Sequence, residues 1–316
     1  MKPRRSFAVA QIRFLSTRLF MALVLLAAAL PAWAQTKYSS AEEAYDAGAR
    51  LVNSGNIAGA REPLEAALML AKNDAFRLKV NRGLLIPYRE LPDIGPMQKA
   101  AEYIIANSAQ AAERSLTRGS LLGFIQIRGK MEAAVAEYEA RLKKTPDDRT
   151  VLYLLVEAYD RYKKDPARSA ELGEKLASVE KKLGKGQDLA SQAQLAQQYV
   201  KADKLTEGAE LFEKIAPLDA KTEAWHLKEA AAAWLKAGQK AKAIAAAKKS
   251  VAGPAEKRSV LLTYFWRRGV ADVFLGAGEP ALAIPQYEAA IAASTIEGYT
   301  KDSRAKLLEA QEAAKK

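Results

Sequence analysis

The sequence predicts an all-α protein, an α-solenoid of about seven helix-turn-helix repeats that ends in a C-terminal capping helix. Two observations predict this fold class. After Lys37, apolar residues recur at spacings of three and four, the period of a helix, and no stretch alternates as a strand does. A common set of small, apolar and glycine positions also returns every 34 to 40 residues, and such a period is typical of stacked helical repeats.

The first 34 residues have the order of a secretory signal peptide. Five basic residues and no acid precede a run of twelve apolar residues, 19–30, and Ala32, Trp33 and Ala34 follow. We therefore expect cleavage after Ala34 and export to the periplasm or the extracellular space. An uncleaved anchor is the alternative, but the run is shorter than the roughly 18 residues that a spanning helix needs. Arg4 and Arg5 also resemble a twin-arginine signal, so the export route stays open.

Composition and charge exclude several classes of function. The chain has 49 Lys and Arg against 37 Asp and Glu, a net charge of +12, and without the five basic residues of the leader the remainder carries +7. Both signs are interspersed, with none of the basic runs of a nucleic-acid reader. Because there is no cysteine and a single histidine, we expect no disulfide, no metal site and no cofactor.

The repeats are counted from the small residue that opens each second helix. These positions are Ala60, Ala100, Ala134, Ala170, Gly208, Ala243 and Ala283. The second repeat is stretched by a proline-punctuated loop at 89–96, and the fourth is the least regular. We expect a break at 184–186, a long first helix in the last repeat over 255–275, and a polar terminal helix over 300–316.

Turn glycines separate the paired helices. Gly55, Gly238 and Gly278 follow the first helix of their repeats at equivalent places, so we expect a positive φ at each. Asp147 and Asp148 follow a proline where a helix should start, which favours a capping role over a catalytic carboxylate pair.

The pattern of each copy resembles the tetratricopeptide repeat (TPR). The pattern is a small residue, an aromatic, a turn glycine, a further alanine and a second aromatic, as in Ala271, Phe274, Gly278, Ala283 and Tyr287. Another copy has the same register, with alanine in the last place: Ala231, Trp234, Gly238, Ala243 and Ala247. The resemblance implies a superhelix whose first helices line a concave groove that binds a peptide or protein partner. The predicted divisions are a signal peptide at 1–34, N-terminal repeats at 38–183, and C-terminal repeats with the capping helix at 188–316.

We expect the partner-binding site in the C-terminal part of the groove. Trp225 and Lys228 are three residues apart on one first helix, and Phe265 and Arg268 occupy the equivalent places forty residues later. Such aromatic and cationic pairs suit an apolar side chain next to a carboxylate. The alternative for this site is that Trp225 and part of 264–266 only pack between repeats.

The predicted function is a non-catalytic scaffold of the cell envelope for a protein or peptide, with no nucleic acid and no membrane segment after cleavage. No phosphate loop, zinc-protease motif or nucleophile elbow occurs. His226 has no nearby nucleophile in sequence, so we expect a half-exposed helical residue rather than a proton shuttle or pH sensor. Two alternatives stay open: an envelope enzyme or carbohydrate-binding protein whose Tyr264, Phe265 and Trp266 stack on a sugar, and a spacer array that only packs on itself.

Overall fold

A computed structural model of the chain describes residues 37–184, 189–252 and 259–316. Within these ranges the regular elements are all helices, and fifteen of them are α-helices. In chain order they are α1 (Ala41–Asn53), α2 (Ile57–Leu70), α3 (Asp74–Arg89), α4 (Gly95–Asn107), α5 (Ala111–Ile127), α6 (Met131–Lys144), α7 (Arg149–Ala158), α8 (Pro166–Lys182), α9 (Leu189–Lys201), α10 (Leu205–Ile215), α11 (Glu223–Lys236), α12 (Lys240–Ala252), α13 (Val260–Ala277), α14 (Pro280–Ala292) and α15 (Glu297–Ala313). A π-helical turn (Tyr159–Lys163) follows α7, and a 3₁₀ turn (Ala216–Leu218) follows α10.

The predicted all-α solenoid is confirmed. Successive helices pack on one another as pairs, α1 on α2 and α3 on α4, and further along the chain α7 on α8, α9 on α10, α11 on α12 and α13 on α14, while α15 packs on α14. The chain forms two compact units, Met1–Arg128 and Gly129–Lys316, so that α1–α5 belong to the first and α6–α15 to the second. The predicted signal peptide at 1–34 and residues 185–186 of the expected break lie outside the described residues, and the predicted repeat blocks 38–183 and 188–316 stay a prediction.

The core of the first unit lies between helices α1 to α4. Its buried side chains include Leu64, Leu84 and Met97, which come from three successive helices. A Cβ atom built on Gly48 of α1 would lie 2.5 Å from Leu64 Cγ, so α1 and α2 approach to a distance that only glycine allows. Alanines at the same interface serve the same close approach, which explains why small residues recur in the repeat pattern.

The core of the second unit is a series of aromatic side chains between small ones. Phe212, Trp234, Trp266, Phe274 and Tyr287 are buried in one cluster. Trp234, Phe274 and Tyr287 lie where the repeat pattern places a large residue, and buried alanines belong to the same cluster. The aromatic positions of the repeat therefore fill the space between successive helices.

A left-handed residue ends the first helix of most pairs. Gly55, Gly238 and Gly278 have φ of 81°, 74° and 89°, as predicted. The residue after the glycine donates its N–H to the carbonyl five positions earlier in the chain, for example Glu279 to Phe274 at 2.9 Å. Lys164 and Asp203 take the same conformation without being glycine, with φ of 55° and 61°.

Side chains cap the N-termini of α7 and α13, and the terminal helix begins and ends at other residues than expected. Asp148 accepts a hydrogen bond from the Val151 N–H at 3.1 Å and caps α7, as predicted. Ser259 caps α13, which begins at Val260 in the described chain, whereas the expected start at 255 lies outside the described residues. The terminal helix begins at Glu297, three residues before the expected position, and ends at Ala313. None of the helices in the described ranges has the length and apolar content needed to cross a membrane.

Candidate partner-binding surface

Helices α11 and α13 lie side by side in the second unit. A Cβ atom built on Gly269 of α13 would lie 2.8 Å from Cδ of Lys228, so the aliphatic stem of this lysine crosses α13 where there is no side chain. Gly269 directly follows Arg268 in sequence. The structure thus brings the two predicted pairs, Trp225 with Lys228 and Phe265 with Arg268, to neighbouring positions on adjacent first helices.

Trp225 and Lys228 form a cation–π pair. The Lys228 Nζ lies 3.9 Å from the centroid of the Trp225 ring, within the range where the ring quadrupole attracts a cation. The same ammonium forms an ion pair with the Glu229 carboxylate. Lys228 is therefore held at both its stem and its head, and its charge is compensated within the chain.

Phe265 is the exposed member of three consecutive aromatic residues. Tyr264 is 0% exposed and Trp266 is 3% exposed, whereas Phe265 is 38% exposed. Its ring contacts those of Tyr264 and Tyr299 at centroid distances of 5.2 and 5.3 Å. Burial of Tyr264 and Trp266 leaves a single ring of the three for stacking on a sugar.

An apolar strip surrounds Phe265 at the start of α13. Val260, Leu261 and Leu262 are all exposed on the first turn of this helix. Four large apolar side chains are therefore exposed within six residues, and exposed apolar patches mark interaction surfaces on soluble proteins. We call Val260, Leu261, Leu262 and Phe265 the α13 strip.

Arg268 is engaged by acidic side chains. Its guanidinium forms an ion pair with Asp302 of α15, lies 3.8 Å from the Asp272 carboxylate, and donates to the Tyr264 hydroxyl at 3.3 Å. A ligand carboxylate at this place would have to compete with two carboxylates of the chain. The spacing in the sequence did not indicate this, because Asp302 comes from the terminal helix, 34 residues further on.

His226 is buried, so the expectation of a half-exposed residue was wrong. Its ring stacks on Phe212 with centroids 6.0 Å apart, because the 3₁₀ turn after α10 brings α11 against the preceding helix. Its Nδ1 is buried without a hydrogen-bond partner in the described chain. Burial lowers the pKa of His226, and the nearby Asp219 and Glu229 oppose this only in part. In the described ranges, no group of three or more His, Asp or Glu side chains could hold a metal ion.

Sequence reasoning missed a buried charged cluster between α7 and α8. Glu180, with a side chain 2% exposed, accepts hydrogen bonds from Arg149 at 2.8 Å and from the Tyr153 hydroxyl at 2.6 Å. Burial raises the pKa of Tyr153, and its hydrogen bond to Glu180 adds to this. The signal was present, since Glu180 follows Leu176 by four residues and so lies on the apolar face of α8.

Comparison with known proteins gives weak structural similarity only. No protein-family model and no curated protein matches the chain. Among solved structures, MamA is 15% identical, with 54% of this chain and 91% of MamA covered and a TM-score of 0.42. A tetratricopeptide repeat protein from Parabacteroides merdae ATCC 43184 is 14% identical, with 86% and 100% covered and a TM-score of 0.40. The TPR domain of P58(IPK) is 13% identical, with 98% and 99% covered and a TM-score of 0.27.

The fold of the chain is TPR-like. The helical pairs within each unit, the left-handed turn residues and the repeat period carry this statement. All three TM-scores are below 0.5, so these structures give no information on the partners or activity of this chain.

Proposed function

We propose that this TPR-like protein is a non-catalytic scaffold that binds a peptide or protein partner on the adjacent faces of α11 and α13. The observation that carries the proposal is the α13 strip, where four large apolar side chains are exposed within six residues. The site consists of Phe265 and this strip as the apolar contact, with Trp225, Lys228 and Arg268 beside it.

The chemistry of the site favours an apolar side chain flanked by polar groups. Phe265 already has aromatic neighbours on one side, so a partner side chain would pack on its free face. Lys228 and Arg268 are compensated by Glu229 and Asp302, so they offer ion pairs rather than free cations. Aromatic and arginine side chains are the usual anchors of protein interfaces, and the flanking ion pairs would form the polar rim.

The test compares two exposed apolar residues. Phe265→Ser removes the centre of the strip, whereas Leu308→Ser changes an exposed residue of α15 outside the strip. The wild-type chain is used to capture proteins from an envelope extract. We expect the Leu308→Ser variant to capture the same proteins and the Phe265→Ser variant to fail to capture them. Equal capture by all three folded proteins would remove this surface from consideration, and circular dichroism checks that each variant is folded.

We infer that the scaffold acts outside the cytoplasm, after removal of residues 1–34. The basic leader, the apolar run at 19–30 and the small residues Ala32 and Ala34 support this inference. Mass spectrometry of the protein recovered from its native cell should find a chain that begins at Gln35. Recovery of the chain with residues 1–34 attached would contradict cleavage.

A further inference from the structure

Helix α12 lies in a stretch of the second unit that has lysines and no acidic residue. Residues 230–252 include no Asp or Glu, although the whole chain has 37. The same stretch contains five lysines, all of them exposed: Lys236, Lys240, Lys242, Lys248 and Lys249. Because they are spaced over 236–249, they give one helix a charged surface without forming a continuous basic run in the sequence.

These five lysines are not paired with carboxylates. Elsewhere in the second unit lysines are paired, as Lys204 is with Glu174 at 2.8 Å. None of the five side chains forms an ion pair or donates a hydrogen bond to any residue that the structure describes. Lys242 has a contact of another kind, since its Nζ lies 4.0 Å from the centroid of the Trp234 ring, which leaves its charge in place. The positive charge of this surface is therefore not compensated by contacts within the described chain.

Two of the lysines lie at the end of α12 where a cation is unfavourable. The helix begins at Lys240, and its first turn contains Lys242 and no acidic residue. The N-terminus of a helix carries a partial positive charge, so acidic side chains are favoured there and lysines are not. The stability of the helix therefore does not account for Lys240 and Lys242, whereas Lys249 in the last turn fits the helix dipole.

The lysines of α12 border a ridge of small side chains. At about 100° per residue, three exposed alanines share one face of the helix: Ala241, Ala245 and Ala252. Lysines flank this face on both sides, Lys240 and Lys248 on one and Lys242 and Lys249 on the other. The opposite face is buried against α11 and α13. Because alanine is short, a flat surface can approach the helix closely while the longer lysine side chains reach it from both sides.

The chemistry of this surface selects among anionic partners. We call the three alanines and the four lysines of α12 the α12 face. Among these described residues there is no aromatic ring on which a sugar or a base stacks, and no large apolar side chain to form the core of a protein interface, where lysine is depleted. All of its cations are lysines, which act as point charges, whereas arginine binds one carboxylate or phosphate in a fixed geometry. A bilayer with anionic headgroups offers a dense field of phosphates on a flat surface.

We propose that the α12 face binds electrostatically to the surface of a bilayer that contains anionic lipids, without inserting into it. Each lysine near such a surface strengthens binding about fivefold. Salt weakens the attraction, because the Debye length falls from about 10 Å at 0.1 M to about 3 Å at 1 M. The α12 face shares no residue with the surface on α11 and α13, so either proposal can fail without the other.

The test places a fluorescent reporter on the α12 face of the full chain. Because the chain has no cysteine, Ala245→Cys gives a single thiol in the middle of the face, and Ala305→Cys gives a matched exposed thiol on α15. Each thiol is labelled with a dye that responds to lipid headgroups and is titrated with vesicles of phosphatidylglycerol and phosphatidylcholine in equal amounts. We expect a response of the label at 245, little response of the label at 305, and none with phosphatidylcholine alone or at about 1 M salt. The position of the label separates contact at α12 from any attraction of residues 1–34 to lipid.

Matched charge variants show whether the lysines of α12 cause the response. One variant of the labelled chain combines Lys240→Gln, Lys242→Gln, Lys248→Gln and Lys249→Gln. The control variant loses the same charge from exposed lysines elsewhere, through Lys143→Gln, Lys144→Gln, Lys301→Gln and Lys315→Gln. We expect the α12 variant to need at least about a hundredfold more anionic lipid for the same response, and the control variant less than about fivefold more. Glutamine has nearly the helix propensity of lysine, and circular dichroism checks that both variants are folded.

Three results would overturn the proposal. The first is no response of the label at 245 to the anionic vesicles, and the second is an equal weakening of the response by the two fourfold variants. The third is a stronger response, per anionic charge, to duplex DNA or to polygalacturonate than to the vesicles, which would assign the α12 face to a nucleic acid or an acidic polysaccharide. Phe265→Ser, which changes the α13 strip, should leave the response to the vesicles as it is in the wild type.

Discussion

The indole N–H of Trp266 donates to the Ser250 hydroxyl at 2.8 Å, and this hydroxyl donates to the Ala224 carbonyl at 2.6 Å. Three successive helices of the second unit, α11, α12 and α13, are joined by this chain of bonds. Both side chains are buried, so no water is at hand to replace a missing partner.

We expect Ser250→Ala to lower the free energy of unfolding by about 1–3 kcal/mol, because the Trp266 N–H loses its acceptor in the core. Trp266→Phe removes the donor and part of the ring. The double variant should cost less than the sum of the two single changes, since the unpaired N–H is then absent. Urea unfolding followed by circular dichroism measures all three. Additive costs would show that the bond contributes nothing.

Much of the fold could be predicted because its determinants are local. The helical period, the turn glycines and the small residues act within a few positions of the chain, and Gly55, Gly238 and Gly278 have the expected φ. Lys164 and Asp203 were not predicted to take the same conformation, because lysine carries no such signal and the preference of aspartate for it is much weaker than that of glycine. Hydrogen bonds of the turn, such as that of the Asp165 N–H to the Tyr159 carbonyl, stabilise it there.

The surroundings of the candidate site depend on contacts that the sequence does not show. The helix face of Trp225 and Lys228 followed from their spacing, but the acidic partner of Arg268 comes from another helix. His226 is buried because a residue of the preceding repeat, Phe212, covers it. The ion pair of Arg268 and the burial of His226 both depend on residues that are distant in the sequence. The helical period gives no information on such contacts.

The turn after α13 should depend on glycine alone. No atom lies within 4 Å of a Cβ built on Gly278, so a substitution there meets only the backbone cost of a positive φ. We expect Gly278→Ala to lower the midpoint of thermal unfolding, by a free energy of about 1–2 kcal/mol. Gly298→Ala, at an equally open position without a positive φ, is the matched control and should leave stability unchanged or raise it. If Gly278→Ala and Gly298→Ala changed the midpoint of thermal unfolding equally, the positive φ of Gly278 would not be the cause of the loss.

Lys164 allows the converse experiment. It has a φ of 55° at the end of the π-helical turn and is exposed. Replacing it by glycine removes the steric cost of the left-handed conformation, although the unfolded chain gains flexibility. We expect Lys164→Gly to raise the free energy of unfolding by up to about 1 kcal/mol in urea titrations. Lys163→Gly, one residue earlier within the π-helical turn, should instead destabilise the protein.

His226 should make stability depend on pH above the range where carboxylates titrate. Its pKa is lowered by burial, whereas in the unfolded chain it is close to 6.5. The unfolded state therefore binds more protons, and the contribution of His226 to stability is present in full above pH 6.5 and is lost as the pH falls. We expect the free energy of unfolding to decrease from pH 7.5 to pH 5 and to decrease less in His226→Phe, which keeps a ring against Phe212. Because the chain has a single histidine, identical slopes for the two proteins would contradict the burial of a neutral imidazole.

The Arg149–Glu180 pair should be costly to break from one side, because the Glu180 side chain is buried. Arg149→Met leaves the buried Glu180 carboxylate with the Tyr153 hydroxyl as its partner, and uncompensated buried charges typically cost about 3–5 kcal/mol. Because Arg149 is partly exposed and Tyr153 stays in place, we expect the lower end of this range. Glu180→Gln removes the charge but keeps an acceptor for Tyr153.

The double variant Arg149→Met with Glu180→Gln should therefore be more stable than Arg149→Met alone, although it lacks one more native group. Urea unfolding of the wild type, both single variants and the double variant gives the coupling energy of the pair. A rescue by Glu180→Gln shows that the cost arises from a buried charge. If the double variant is the least stable of the four, the loss arises instead from the packing of the Arg149 stem on Tyr153, whose ring centroid lies 5.2 Å from the guanidinium carbon.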